Sequence, residues 1–230
     1  MRLLLCEDER SLSRAVEAIL RKNNYSVDAV FNGADALDYI EAGNNYDGVI
    51  LDIMMPKLDG IHATLQIRKE SSVPIIILSA KTEDSDKILG LNIGADDYVT
   101  KPFNPLELVA RVKSQLRRVE VLSNNVPSDV IYKAGGLEIN DDLKKVTVDG
   151  EEVRLTPIEY NILLLLMKNK GKVYSINQIY ENIWNEEAIG ADNTVAVHIR
   201  HIREKIEINP KDPRYLKVVW GVGYKIEEKS

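Results

Sequence analysis

Four short, largely apolar runs in the first half of the chain each stop on a group able to do chemistry: LLLC on Glu7-Asp8, GVIL on Asp52, PIIIL on Ser79 and DDYVT on Lys101. Continuous apolar runs of this length, bounded by polar breaks, mark strands buried on both faces, as in a parallel sheet. In an open parallel sheet the ligand crevice lies beyond the carboxyl ends of the strands, so these four sites are expected to meet in space.

The residue types at the four sites fit one chemistry. A carboxylate is a poor nucleophile towards a phosphate dianion unless a cation screens both, and Mg²⁺ does this through one or two carboxylates, waters and phosphate oxygens. Asp8 and Asp52 are expected to hold the ion, with Glu7 helping through water. Lys101 is placed to neutralise a phosphoryl oxygen, and the Ser79 hydroxyl to donate a hydrogen bond to another. Taken singly, each acid also reads as a helix cap or a solvated loop charge. Four in register favour the pocket.

The rest of residues 1–121 has the order of an α/β, doubly wound five-stranded parallel sheet. Strands are expected at Arg2 to Cys6, Val27 to Val30, Gly48 to Leu51, Pro74 to Leu78 and Tyr98 to Thr100. Helices are expected over 11–22, 33–42, 60–69, 84–92 and 105–119. Tyr98 has a plain reading as a β-residue in a half-buried strand. Cys6, the single cysteine, reads as a small core residue. One cysteine offers neither a disulfide nor a cysteine-based zinc site, which fits a reducing compartment.

The stretch LSNNVPSDV, 122–130, breaks this pattern with turn-forming residues and reads as a linker. Residues 131–230 then read as a smaller α+β domain. Asp149-Gly150 suits a two-residue hairpin. Thr156-Pro157-Ile158-Glu159 supplies an N-cap, a first-position proline and a capping-box glutamate ahead of a buried helix. Two domains of ordinary size suit 230 residues, and 44% hydrophobic with 29% charged content is that of a globular protein. No apolar run approaches a membrane span and the N-terminus lacks a signal pattern, so a cytoplasmic location without membrane contact is expected.

A net charge of -6 gives no overall pull towards nucleic acid, but the last third differs. From Asn193 to Lys225 seven Lys/Arg stand against three Asp/Glu. In the helical stretch Asn193 to Glu207, Val195, Ile199, Ile202 and Ile206 form an apolar stripe, leaving Thr194, Val197, His198, Arg200, His201 and Arg203 for the remaining surface. A hairpin, Leu216 to Ile226, follows with WGVGY at its tip. A basic helix followed by a β-hairpin reads as a winged helix-turn-helix, and the local positive excess suits double-stranded DNA.

The stretches CEDE (6–9), VILDIMMPKLDG (49–60), IIILSAK (75–81) and GADDYVTKPF (94–103) resemble, in order and spacing, the receiver domain of two-component response regulators. The resemblance implies Asp52 as phosphoacceptor for a sensor histidine kinase, the Met54 backbone carbonyl as a further Mg²⁺ ligand, Ser79 and Tyr98 as switch residues, and a cis bond before Pro102. Residues 131–228 resemble the effector domain of the OmpR/PhoB family through LTPIEYNILLLL, NTVAVHIRHIREKI and VWGVGYKI. That resemblance implies that Thr194, Val197, His198, Arg200 and His201 enter the major groove, that Arg203 contacts phosphate, and that Trp220 and Tyr224 approach the minor groove.

The family resemblance further implies that Trp184 to Asp192 meets RNA polymerase and that phosphorylation brings two receivers together. Lys87 with Glu107, Asp97 with Arg111, and Asp96 with Arg118 match the family's charge pairs across that dimer, around Ile88, Leu91 and Ala110. A nine-residue linker has a reach of roughly 16 Å, which lets two effector domains sit head to tail on a direct repeat. The wording of the recognition helix and of VVWGVGYKIEE is similar to regulators of vancomycin resistance, which implies cell-wall or glycopeptide-resistance genes as targets. Two other readings compete: a regulator that binds DNA without phosphorylation, and an aspartyl-phosphate phosphohydrolase. The second is disfavoured because Met54 stands where such enzymes often carry a second acid.

Overall fold

The structure, a computed structural model, describes residues 1–80, 93–123, 131–184 and 192–227; for 117–123 and 192–193 it describes the backbone alone. The chain divides into two compact units, Met1–Val119 and Glu120–Ser230.

In the first unit, β1 (Arg2–Cys6), β2 (Ser26–Val30), β3 (Gly48–Asp52), β4 (Ile75–Ser79) and β5 (Asp97–Thr100) form one sheet in the order β2-β1-β3-β4-β5. All four pairings are parallel. Between and after the strands run α1 (Arg10–Lys22), α2 (Gly33–Glu41), α3 (Gly60–Glu70) and α4 (Pro105–Ser123). The expected helix over 84–92 lies outside the described residues.

The period of two along each strand sorts the side chains into two cores. Leu3 and Leu5 pack with Val16 and Leu20 of α1 and Val112 and Leu116 of α4. Leu4 and Cys6 face the other way, onto Ala36 of α2 and Ala63 and Ile67 of α3. Strand order reverses beside β1, and the β1–β3 register sets Cys6 opposite Leu51. The residues that follow, Glu7 and Asp52, are therefore neighbours at the mouth of the crevice. α4 runs to Ser123, so the first two residues of the expected linker are helical; neither Gly nor Pro interrupts the chain there until Pro127. Residues 124–130 lie outside the described residues.

The second unit opens with a four-stranded antiparallel sheet, β6 (Ile131–Ala134), β7 (Leu137–Asn140), β8 (Lys145–Val148) and β9 (Glu151–Val153). Asp149 (φ 49°) and Gly150 (φ 90°) both adopt the left-handed conformation that a type I′ hairpin turn needs. Helices α5 (Pro157–Lys168), α6 (Ile176–Trp184) and α7 (Asp192–Ile206) follow, then the antiparallel hairpin β10 (Leu216–Val219) and β11 (Gly223–Ile226). The capping box at Thr156 and Glu159 is formed in both directions. One core joins Ile162 and Leu166 of α5, Ile179 of α6, Val195, Ile199 and Ile202 of α7, and Leu216 and Ile226 of the hairpin.

Two contacts fix this unit beyond apolar packing. The Asp141 carboxylate accepts from Lys144 Nζ at 2.7 Å, Tyr160 Oη at 2.8 Å and Lys168 Nζ at 2.9 Å, tying the sheet to α5. Burial alone would raise the Asp141 pKa, but these three hydrogen bonds outweigh it and hold it at about 2. At Gly223 a Cβ would stand 1.9 Å from the Tyr174 carbonyl oxygen. Only glycine permits that approach, which lets the backbones of Tyr174 and Tyr224 exchange two hydrogen bonds of 2.9 Å.

Candidate functional site

The ends of β1, β3 and β5 deliver Glu7, Asp52 and Lys101 to one point. Lys101 Nζ lies 2.6 Å from Glu7 Oε2 and 2.9 Å from Asp52 Oδ2. Asp8, exposed at the rim, completes a trio with Glu7 and Asp52 in which one oxygen from each lies within 4.8 Å of the others. Glu7 has no solvent exposure. Burial pushes its carboxyl above the usual range, Lys101 opposes this, and the Asp52 charge adds to it. Burial would lower the Lys101 ammonium, but its hydrogen bonds to Asp52 and Glu7 outweigh that and hold it above the ordinary lysine value.

This donor set fits a hard divalent cation. Three carboxylates against one ammonium leave a surplus of two negative charges, in a pocket where one acid is cut off from water. Oxygen ligands at this spacing suit Mg²⁺, which binds a few carboxylates and keeps several waters. Met54 follows Asp52 by two residues, and its backbone N–H donates to Asp52 Oδ1 at 3.3 Å. Receiver domains generally bind Mg²⁺ at such an acidic cluster.

Ser79, at the end of β4, is fully buried, and its carbonyl accepts the Lys101 N–H at 2.6 Å. Tyr98 is buried in the core formed with Ala63, Ile67 and Ile77. The Lys101–Pro102 peptide is cis, as the family resemblance implies. On α4, Glu107 and Ala110 are exposed beside Leu106. Arg111 joins Asp97 (3.1 Å) and Glu107 (3.3 Å) within the same chain. Asp96, expected opposite Arg118 of a second receiver, is 1% exposed, pairs with Arg68 at 2.6 Å and accepts the Ile75 N–H. Lys87, Ile88, Leu91 and the Arg118 side chain lie outside the described residues.

In the second unit α7 presents fewer of its residues than the single apolar stripe implied. Arg200 is exposed and forms an i,i+4 pair with Glu204 at 3.0 Å, and Thr194 is half-buried. Val197, His198 and His201 are 7%, 1% and 8% exposed, which corrects their assignment to the open surface. α7 packs on both α5 and α6, so its buried arc is wider than one stripe. His198 meets Trp184 with ring centroids 5.7 Å apart, and His201 Nδ1 lies 4.0 Å from the buried Glu159 carboxylate.

Arg203, expected at a phosphate, is half-buried; its Nε donates to the Leu216 carbonyl at 3.0 Å and its guanidinium lies 5.8 Å from the Tyr224 ring. Burial pushes its pKa below the ordinary value, opposed by Tyr224 and Glu207. Tyr224 is half-buried beneath it, whereas Trp220 at the hairpin tip is 88% exposed. Sequence reasoning missed Glu207, whose carboxylate accepts the backbone N–H groups of Arg214 (2.6 Å), Tyr215 (2.9 Å) and Leu216 (2.8 Å). The available signal was an acid just past the helix, ahead of the turn-forming Asn209-Pro210. The expected polymerase-facing stretch lies outside the described residues over 185–191.

Comparison with known proteins matches the two units to two domain families. Residues 3–113 match the response regulator receiver domain, and residues 150–226 match the C-terminal domain of transcriptional regulatory proteins. The regulatory proteins VanRc of Enterococcus gallinarum and VanR of Enterococcus faecium are each 42% identical over 229 residues, 99% of this chain and 99% of theirs. The transcriptional regulatory protein ResD of Bacillus subtilis is 40% identical over 98% of this chain and 95% of its own. Among solved structures, a mutant of RitR matches with a TM-score of 0.76 at 28% identity over 99% of both chains. DrrB, a Thermotoga maritima OmpR/PhoB homologue, matches at 31% identity with a TM-score of 0.51 over 98% of both chains. No helix among the described residues is long and apolar enough to cross a membrane. The chain belongs to the OmpR/PhoB-type two-component response regulators, transcription regulators that join a receiver domain to a DNA-binding domain.

Proposed function

We propose that a sensor histidine kinase phosphorylates this regulator on Asp52 and that the modified protein dimerises through its receivers and binds direct-repeat promoter DNA. The observation that carries the reading is the trio Glu7, Asp8 and Asp52 with Lys101 pinned between two of them. An Asp52 oxygen attacks phosphorus, the bond from phosphorus to the kinase imidazole breaks, and the imidazole leaves with a proton. Asp8, Asp52, the Met54 carbonyl and, through water, Glu7 would hold Mg²⁺, which would screen the charges of nucleophile and phosphate. Lys101 turns to a phosphoryl oxygen, and the Ser79 hydroxyl donates to another. Phosphorylation adds about -1.5 to -2 in charge and three acceptor oxygens, a change large enough to reset this pocket.

The receiver dimer uses Lys87 with Glu107, Asp97 with Arg111 and Asp96 with Arg118 around Ile88, Leu91 and Ala110. Glu107 is exposed, and an exposed charge pair contributes only about 0 to 1 kcal/mol, so the apolar centre carries much of the affinity. Two effector domains then lie on half-sites about 10 to 10.5 base pairs apart, with Thr194 and Arg200 at base edges and Trp220 at the minor groove. RNA polymerase is met by the stretch between α6 and α7. Sedimentation of phosphorylated wild type beside Glu107→Lys, with footprints of both, tests the reading. Wild type is expected to dimerise and protect a direct repeat, and Glu107→Lys to stay monomeric. A variant that dimerises fully, an inverted-repeat footprint, or the same DNA affinity with and without phosphorylation contradicts it.

A further inference from the structure

The hairpin that carries Trp220 is joined to α7 by Arg203 in its last turn and by Glu207, the residue just past its end. Arg203 and Glu207 are four residues apart, so they stand one above the other. Arg203 Nε donates to the Leu216 carbonyl, and the Glu207 carboxylate accepts the N–H groups of Arg214, Tyr215 and Leu216. The start of β10 is thus held from both sides of its backbone. Tyr215 and Leu216 are buried, so their N–H groups depend on the carboxylate for an acceptor, whereas Arg214 is exposed.

Apolar packing of Leu216 and Ile226 sets how deep the hairpin sits, but such packing is non-directional. Directional hydrogen bonds set its pitch: these four at the start of β10 and, on β11, the two between Tyr174 and Tyr224 and the one from the Gly171 N–H to the Ile226 carbonyl. Trp220 lies four residues beyond Leu216, about 13 Å along the strand, so a pivot of about 10° at the anchor moves the tip by roughly 2 Å. A displacement of that size separates a side chain from its hydrogen-bonding or stacking partner.

We propose that Glu207 and Arg203 are positioning residues that lock the wing to the recognition helix, so that Trp220 holds DNA only while the lock is closed. The inference rests on the DNA-binding reading above and assigns Arg203 a task other than phosphate contact.

The test is a double-mutant cycle on the full-length phosphorylated protein, with operator DNA selected from random sequence and affinities read by anisotropy of labelled duplex. Trp220→Ala is expected to weaken binding about tenfold in wild type and less than about twofold in Glu207→Gln, the non-additivity of coupled residues. Gln keeps the shape but sets its NH₂ against the Arg214 N–H and, without the charge, is a weaker acceptor for Tyr215 and Leu216. Should Glu207→Gln not fold, Arg203→Lys carries the same cycle, since it keeps the charge and loses the bond to Leu216. An equal fold-loss from Trp220→Ala in both backgrounds overturns the lock and leaves DNA binding standing. No loss from Trp220→Ala in wild type overturns the lock together with the wing contact, while Arg200→Ala still reports on the helix. A wild type that selects no DNA overturns the underlying reading.

Discussion

The acid pocket and the face of α7 are placed by different constraints. In the receiver, each functional group is the residue at or just after a strand end. Strand register then leaves it one place to go, with Cys6 opposite Leu51 and Ser79 opposite Thr100. The backbone positions the chemistry. On α7 the backbone fixes only a 3.6-residue period, and which side chains stay exposed depends on what packs against the helix. Two neighbouring helices bury Val197, His198 and His201 along with the apolar stripe. A strand-end site is therefore legible from where apolar runs stop. A helical face is legible only when its neighbours are known.

The difference can be broken by substitution. His198→Ala, although on the helix proposed to face DNA, is expected to cost about 3 kcal/mol of stability, as for a buried side chain truncated to a cavity. Urea denaturation of the second unit reads this, and a change under about 0.5 kcal/mol would return His198 to the surface. Gly60→Ala and Gly223→Ala compare the two units directly. A Cβ at Gly60 would stand 2.1 Å from the Asp52 carbonyl oxygen, and one at Gly223 1.9 Å from that of Tyr174. Each is expected to cost about 1 to 3 kcal/mol. The first should slow phosphorylation and spare DNA binding by the unphosphorylated protein, and the second the reverse. Both functions falling together in either variant would show that the units are not separable.

Smaller effects sharpen the picture. Asp141 titrates at about 2 in the folded state against 3.8 for the free side chain. Because the folded value is depressed, its stabilisation is complete above the unfolded value and is lost as pH falls from about 5 towards 2. At neutral pH it amounts to roughly 2 kcal/mol. Asp141→Asn should flatten acid unfolding of the second unit alone, and an unchanged melt between pH 5 and 3 would argue against the three-way hydrogen bond. Arg200→Ala removes only an exposed i,i+4 pair, about 0.3 to 0.5 kcal/mol of stability, yet should relax base preference by about 1 to 3 kcal/mol if Arg200 pairs with a guanine edge. Wild-type selectivity in that variant would leave α7 without its main reader.

Much of the fold could be read directly. Val27, Ile50 and Ile77 lie in strands within a residue of the expected limits, Thr156 caps α5, and Asp149-Gly150 turns the hairpin. These signals are local: a cap, a turn or an apolar run needs only its own few residues. Where expectation and structure part, the deciding contact is remote in sequence. Nothing local to Asp96 announces Arg68, 28 positions away. Nothing local to Arg203 announces the Leu216 carbonyl that takes its Nε. Glu207 and Asp141 carry no motif, and their importance lies in the three donors each one gathers.

The central claim is that the strand-end pocket is built for phosphoryl transfer to Asp52, and intact-mass measurement after incubation with acetyl phosphate tests it most directly. Wild type with Mg²⁺ should gain the mass of one phosphoryl group and lose the gain when the ion is chelated. Asp52→Asn, which keeps the shape but removes the nucleophile's charge, should gain none. Labelling of Asp52→Asn at the wild-type rate, or labelling of wild type that does not depend on a divalent ion, would contradict the account.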